Sequence, residues 1–90
     1  SGLNGMTRTM AIELAPYNVL INNVAPGYVN TELTAQNNTS DEIKMIENSI
    51  PMQRLAEPQE IAEAVQFLVS DKNTYMTGQT LIIDGGYTCQ

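Results

Sequence analysis

Histidine is absent, cysteine occurs once, and only four of the 90 residues carry a positive charge. Each shortage excludes something. Cys89 has no second cysteine to pair with, so no disulfide forms within the chain. With no histidine and a single cysteine, no zinc-type ligand set exists, and no metal is expected. Arg8, Lys44, Arg54 and Lys72 are scattered, leaving no basic stripe to neutralise phosphates, so nucleic acid is not expected as a partner. The formal net charge of -6 bears on solubility rather than fold. No apolar run approaches the roughly 20 residues of a membrane span, and no signal peptide opens the chain; the expectation is a cytoplasmic protein with no membrane partner. There is no initiator methionine either. The sequence begins at Ser1-Gly2-Leu3 inside a helical pattern, from which a truncated chain is expected. Asn37-Asn38-Thr39 and Asn38-Thr39-Ser40 match the glycosylation acceptor pattern and are read as chance occurrences.

What is present is globular in character: 42% hydrophobic and 16% charged residues, in a length that suits one small domain. Over residues 2–15, Leu3, Met6, Met10 and Leu14 recur at spacings that predict an amphipathic helix with these side chains as its packing face. Pro16 stops the pattern, and Asn18 suits the left-handed conformation a chain reversal needs. Val19-Leu20-Ile21 opens a run to Val24-Ala25 that predicts a strand buried on both faces. Asn22 and Asn23 interrupt it and require hydrogen-bond partners. Pro26-Gly27 is expected to end the strand in a turn.

Residues 32–50 are the most polar and least regular stretch. Thr39 and Glu42 form a capping-box pattern, and Ile43, Ile46 and Ile50 follow at helical spacing, predicting one short helix over about 40–50. Glu57-Pro58-Gln59-Glu60 opens another helix, with proline at the first position and acids in the first turn. Ile61, Ala64, Val65 and Leu68 supply its buried face to about Ser70. Thr80-Leu81-Ile82-Ile83 predicts a second buried strand, closed by an Asp84-Gly85-Gly86 turn. A strand–helix–strand order implies two parallel strands joined by a right-handed crossover. Two strands rarely stand alone, so the reading is an α/β chain forming the end of a larger doubly wound parallel sheet.

Four motifs in order resemble one family. Val19 to Gly27, continued by Tyr28-Val29-Asn30-Thr31, is similar to the sixth strand and proline-glycine segment of short-chain dehydrogenases/reductases. Ile50 to Ala62 resembles the entry to that family's penultimate helix. Thr77-Gly78-Gln79 with Ile83-Asp84-Gly85-Gly86 resembles its last strand, and Ser1-Gly2-Leu3 resembles the segment directly after its catalytic residues. The resemblance implies that residues 1–90 are the C-terminal portion of one Rossmann-like oxidoreductase domain, working with NAD or NADP on a small-molecule carbonyl or secondary alcohol. A 3-oxoacyl-carrier-protein reductase and a sugar or polyol dehydrogenase both stay open.

The family's tyrosine and lysine cannot be assigned here. Tyr17, Tyr28 and Tyr75 are followed four residues on by Ile21, Glu32 and Gln79, and Tyr87 lies too near the end. No glycine-rich phosphate loop follows a strand. This segment by itself is therefore expected to be inactive, with no catalytic residue of its own. What the resemblance does assign is the nicotinamide end of the cofactor site. Pro26 and Gly27 would pack near the ring, the Val29 backbone would bond the carboxamide, and the Thr31 hydroxyl would reach the carboxamide or the pyrophosphate. Residues 32–50 would be the substrate lid, with Leu33, Ile43, Met45 and Ile46 either touching substrate or packing the helix down. The resemblance also implies a homodimer or homotetramer, built through the helix of residues 2–15 and through the last helix and strand. Arg54 is read as a structural ion pair. The alternative from another class is a non-catalytic interaction module retaining this half of the fold.

Overall fold

The computed structural model describes residues 2–90, with side chains from residue 4 onward. Ser1 and the Leu3 side chain, to which the sequence assigned a motif and a packing role, lie outside the described residues. Among the described residues four helices and two strands are formed: α1 (Gly2–Leu14), β1 (Asn23–Pro26), α2 (Glu32–Asn37), α3 (Ser40–Ser49), α4 (Pro58–Val69) and β2 (Thr80–Ile83), with 3-10 turns at Ala15–Tyr17 and Tyr87–Cys89. The strands pair as one two-stranded sheet. Asn23 N–H donates to Gln79 C=O and Gly27 N–H to Ile83 C=O; both partners advance by four residues in the same direction, the signature of parallel pairing. The chain divides into two compact units: Ser1–Ala25 with Glu63–Leu81, and Pro26–Ala62 with Ile82–Gln90.

In the first unit α1 forms as predicted, but it buries a different face. Thr7 and Ala11 are buried while Met6 and Met10 are exposed, so the packed stripe is rotated by one residue from the methionines. Small, polar residues win because backbone comes close on that side. Thr7 Oγ1 donates to Asn23 Oδ1 at 2.9 Å, and a Cβ placed on Gly78 would lie 3.3 Å from the Ala11 Cβ. Asn4 Oδ1 accepts from both Asn23 Nδ2 and Thr80 Oγ1. Asn18 takes the left-handed conformation at φ 60°.

The strand expected from Val19 to Ala25 is shorter, beginning at Asn23. Upstream, the chain is bonded to the loop before β2 rather than to a strand. Ile21 N–H donates to Thr77 Oγ1, Gly78 N–H donates to Ile21 C=O, and the Asn22 amide bridges Met76 C=O and Gln79 N–H. A side chain that takes the place of a ladder rung ends the ladder, so Asn22 finds its partners by shortening the strand, while Asn23 finds its own on α1. Neither strand is fully buried: β1 is half-buried to Pro26, and Ile82 of β2 is 56% exposed. On α4, Leu68 is buried but Val65 is 41% exposed, so the expected four-residue face is only partly covered.

Candidate functional site

The second unit carries the sequence's candidate residues on the connection from β1 to α2. Pro26 is the last residue of β1, not part of a reversing turn. The chain continues through Gly27 and Tyr28 to a parallel bridge between Val29 and Ala56. Two bonds make that bridge: Ala56 N–H to Tyr28 C=O at 2.9 Å, and Asn30 N–H to Ala56 C=O at 2.8 Å. In such a bridge the central residue turns its own N–H and C=O to the opposite side. The Val29 C=O accepts from Thr34 Oγ1 at 2.8 Å. Its N–H has no acceptor among the described residues.

Gly27 lies tight against the turn that follows β2. A Cβ at Gly27 would come within 2.8 Å of Asp84 Cβ and 3.0 Å of Asp84 Cα. The requirement for glycine here is space, not a left-handed backbone. Tyr28 meets Tyr87 edge-to-face, with ring centroids 5.8 Å apart at 85°. Asp84-Gly85-Gly86 forms the expected turn: the carboxylate accepts from Gly86 N–H, Thr88 N–H and Thr88 Oγ1. Those bonds, the Thr88 hydroxyl first, hold its carboxyl below the usual range.

Thr31 is the N-cap of α2; its Oγ1 accepts from Thr34 N–H at 3.2 Å. Thr31 Oγ1 and Thr34 Oγ1 also lie 3.0 Å apart. Thr34 has one hydroxyl hydrogen and spends it on Val29 C=O, so Thr31 is the donor between them. One acceptor lone pair on the exposed Thr31 oxygen remains free. An unpaired amide donor at Val29 and a hydroxyl acceptor at Thr31 match the two ends of a carboxamide, which offers one acceptor and an amino donor. Beside them, the space a side chain at Gly27 would need is taken by Asp84.

Residues 32–50 hold two helices, not the one the sequence predicts. The first, α2, escaped the periodicity reading because it spans less than two turns and carries little apolar pattern; the signal for it was Thr31 followed by Glu32. The second forms as expected, with both halves of the Thr39–Glu42 capping box in place. Ile43 and Ile46 are half-buried, whereas Leu33 and Met45 are 65% and 71% exposed. Arg54 makes the expected ion pair, with both guanidinium nitrogens on the Glu60 carboxylate at 2.8 and 2.9 Å. That pairing, helped by the Glu57 N–H, pushes the Glu60 carboxyl down to about 2. A cavity of about 90 Å³ beside Tyr28, Arg54 and Asp84 has room for a few waters and not for a dinucleotide.

Residues 1–88 match the family model described as enoyl-(acyl carrier protein) reductase. The chain is 49% identical over 86 residues to an acetoacetyl-CoA reductase of Acinetobacter sp., matching 96% of this chain and 34% of that protein. A short chain dehydrogenase family protein of Francisella tularensis superposes with a TM-score of 0.89 at 42% identity, over 99% of this chain and 41% of the other. A 4-hydroxyisoleucine dehydrogenase complexed with NADH gives a TM-score of 0.89 at 32% identity, over 99% and 37%. The chain thus spans about a third of the length of the curated relatives it matches. Its α/β arrangement is that of part of a doubly wound, Rossmann-like domain.

Proposed function

The chain belongs to the short-chain dehydrogenase/reductase family, and from that premise we propose that it forms the nicotinamide end of the site in an NAD(P)-dependent oxidoreductase. The substrate is a small-molecule carbonyl or secondary alcohol. The cofactor, when bound, supplies or accepts the hydride. The observation that carries the reading is the unpaired Val29 N–H, held by the Ala56 bridge on the side away from its pairing partner. Val29 N–H donates to the carboxamide oxygen, and Thr31 Oγ1 accepts from the carboxamide nitrogen. Pro26 and Gly27 pack near the ring. Together these groups fix which face of the ring meets the substrate. Residues 32–50 close over that substrate, with Leu33 and Met45 as the apolar side chains free to touch it. In the assembled, cytoplasmic enzyme the exposed Met6 and Met10 of α1 face a second copy, in a homodimer or homotetramer.

The test uses a hybrid in which these 90 residues replace the matching segment of the NADH-bound 4-hydroxyisoleucine dehydrogenase. Val29→Pro deletes the free N–H and leaves both bonds of the Ala56 bridge intact, since neither uses it. NADH affinity of the hybrid should fall by about two- to ten-fold, the worth of one neutral hydrogen bond. Affinity for ADP-ribose, which lacks the nicotinamide, should stay the same. Unchanged NADH affinity would remove Val29 from the site and the proposal with it.

A further inference from the structure

We propose that Tyr87, presented by the Asp84 turn, is a positioning residue that sets the direction of the Val29 N–H. The inference rests on the proposed nicotinamide site and adds to it a residue that the sequence motifs did not reach. The Tyr28–Val29 peptide is one rigid plane, with the Tyr28 C=O and the Val29 N–H pointing in opposite directions. Whatever fixes Tyr28 therefore aims the Val29 donor. Three contacts fix it. Ala56 N–H holds the Tyr28 carbonyl at 2.9 Å. Asp84 lies directly beneath Gly27, the residue before Tyr28. The Tyr87 ring stands edge-to-face against the Tyr28 ring.

Two of those three contacts come from one short segment, and that segment is itself braced. Gly86 adopts φ 94°, and Asp84 ties Gly86 and Thr88 back onto its carboxylate, so that Tyr87 begins a 3-10 turn. The Tyr87 N–H also donates to Asp84 C=O at 3.2 Å. The same segment holds the chain at the end of α3. Gln90 Nε2 donates to Ser49 C=O at 2.9 Å and to Tyr87 C=O at 3.2 Å, and Met52 N–H donates to Gly85 C=O at 3.1 Å. Residues 84–90 thus touch both the loop offering the carboxamide donor and the base of the proposed lid. Tyr87 is 40% exposed; its contact with Tyr28 is the feature that its burial alone does not require.

The experiment measures NADH and ADP-ribose affinity in the same hybrid for Tyr87→Ala and Tyr87→Phe. Loss of an edge-to-face pair should weaken NADH binding by about two- to ten-fold in Tyr87→Ala. ADP-ribose affinity should be unchanged, and Tyr87→Phe, which keeps the ring, should restore NADH affinity. Equal losses for both ligands would assign Tyr87 to folding in general and overturn the inference, as would NADH affinity that Tyr87→Ala leaves intact. The two readings fail separately. If Val29→Pro weakens NADH binding and Tyr87→Ala does not, Tyr87 alone is withdrawn. If Val29→Pro has no effect, the nicotinamide site itself is wrong and the positioning role falls with it.

Discussion

Thr31 caps α2 and keeps an acceptor open to solvent. Its oxygen caps α2 by accepting from Thr34 N–H, its hydrogen goes to Thr34 Oγ1, and one lone pair stays open. Thr31→Val removes all of this with little change in shape. Losing an N-cap costs about 0.5–2 kcal/mol, so the melting temperature of the hybrid should drop. If the lone pair accepts from the carboxamide, NADH affinity should also fall by about two- to ten-fold. Thr31→Ser should retain both properties. A stability loss with NADH affinity unchanged would leave Thr31 as a cap and nothing more. The cap was legible as a residue type but not as a role, because Thr31 precedes a helix too short to show periodicity. The Asn22 and Asn23 partners were likewise demanded by the sequence but not locatable in it. They sit 54 and 19 residues away, at Met76 and Asn4, and only the folded chain brings them near.

Among the elements, α4 was the plainest to read, since proline at its first position and an acid in its first turn are local signals. Its start is fastened by the Arg54–Glu60 pair and by Glu57 N–H donating to Glu60 Oε1. The Glu60 carboxyl lies at about 2 in the folded chain against a usual 4.5. A depressed carboxylate contributes stability that is present above the unfolded value and lost as pH falls toward the folded one. Glu60→Gln keeps an oxygen to accept from Glu57 but removes the charge. Wild type should therefore melt above Glu60→Gln at about pH 5.5, and the gap should narrow toward about pH 3. Both partners are about half exposed, so the gap is small and should shrink further with salt. A gap that stays constant across this pH range would mean the charge contributes nothing. The α1 face was harder to read. Helical spacing marked Met6 and Met10, but the contact formed through Thr7 and Ala11, where α1 comes close to Asn23 and Gly78. Periodicity finds an apolar stripe; it does not find a close approach of backbone. The short β1 has the same origin, since Thr77 and the Asn22 amide replaced rungs that β-branched composition predicted.

At the scale of the whole chain, the fold class was legible because strand–helix–strand order admits few topologies, and four family motifs in order supplied the rest. By itself the chain has little interior. Among the described residues only Ala11, Ile50, Leu55 and Leu68 are buried hydrophobics, and none is completely enclosed. Two paired strands fall short of the three or so that an independent sheet needs. The groups assigned to the carboxamide are a few hydrogen bonds, with no glycine-rich loop for a pyrophosphate. On the proposed function, these residues complete a cofactor site whose larger part the rest of such a domain supplies. Calorimetric titration of NADH into the 90-residue chain and into the hybrid tests this most directly. The hybrid should bind at micromolar affinity and the 90-residue chain should show no saturable binding. Micromolar binding by the 90-residue chain, or none by a hybrid that still binds ADP-ribose, would contradict the account.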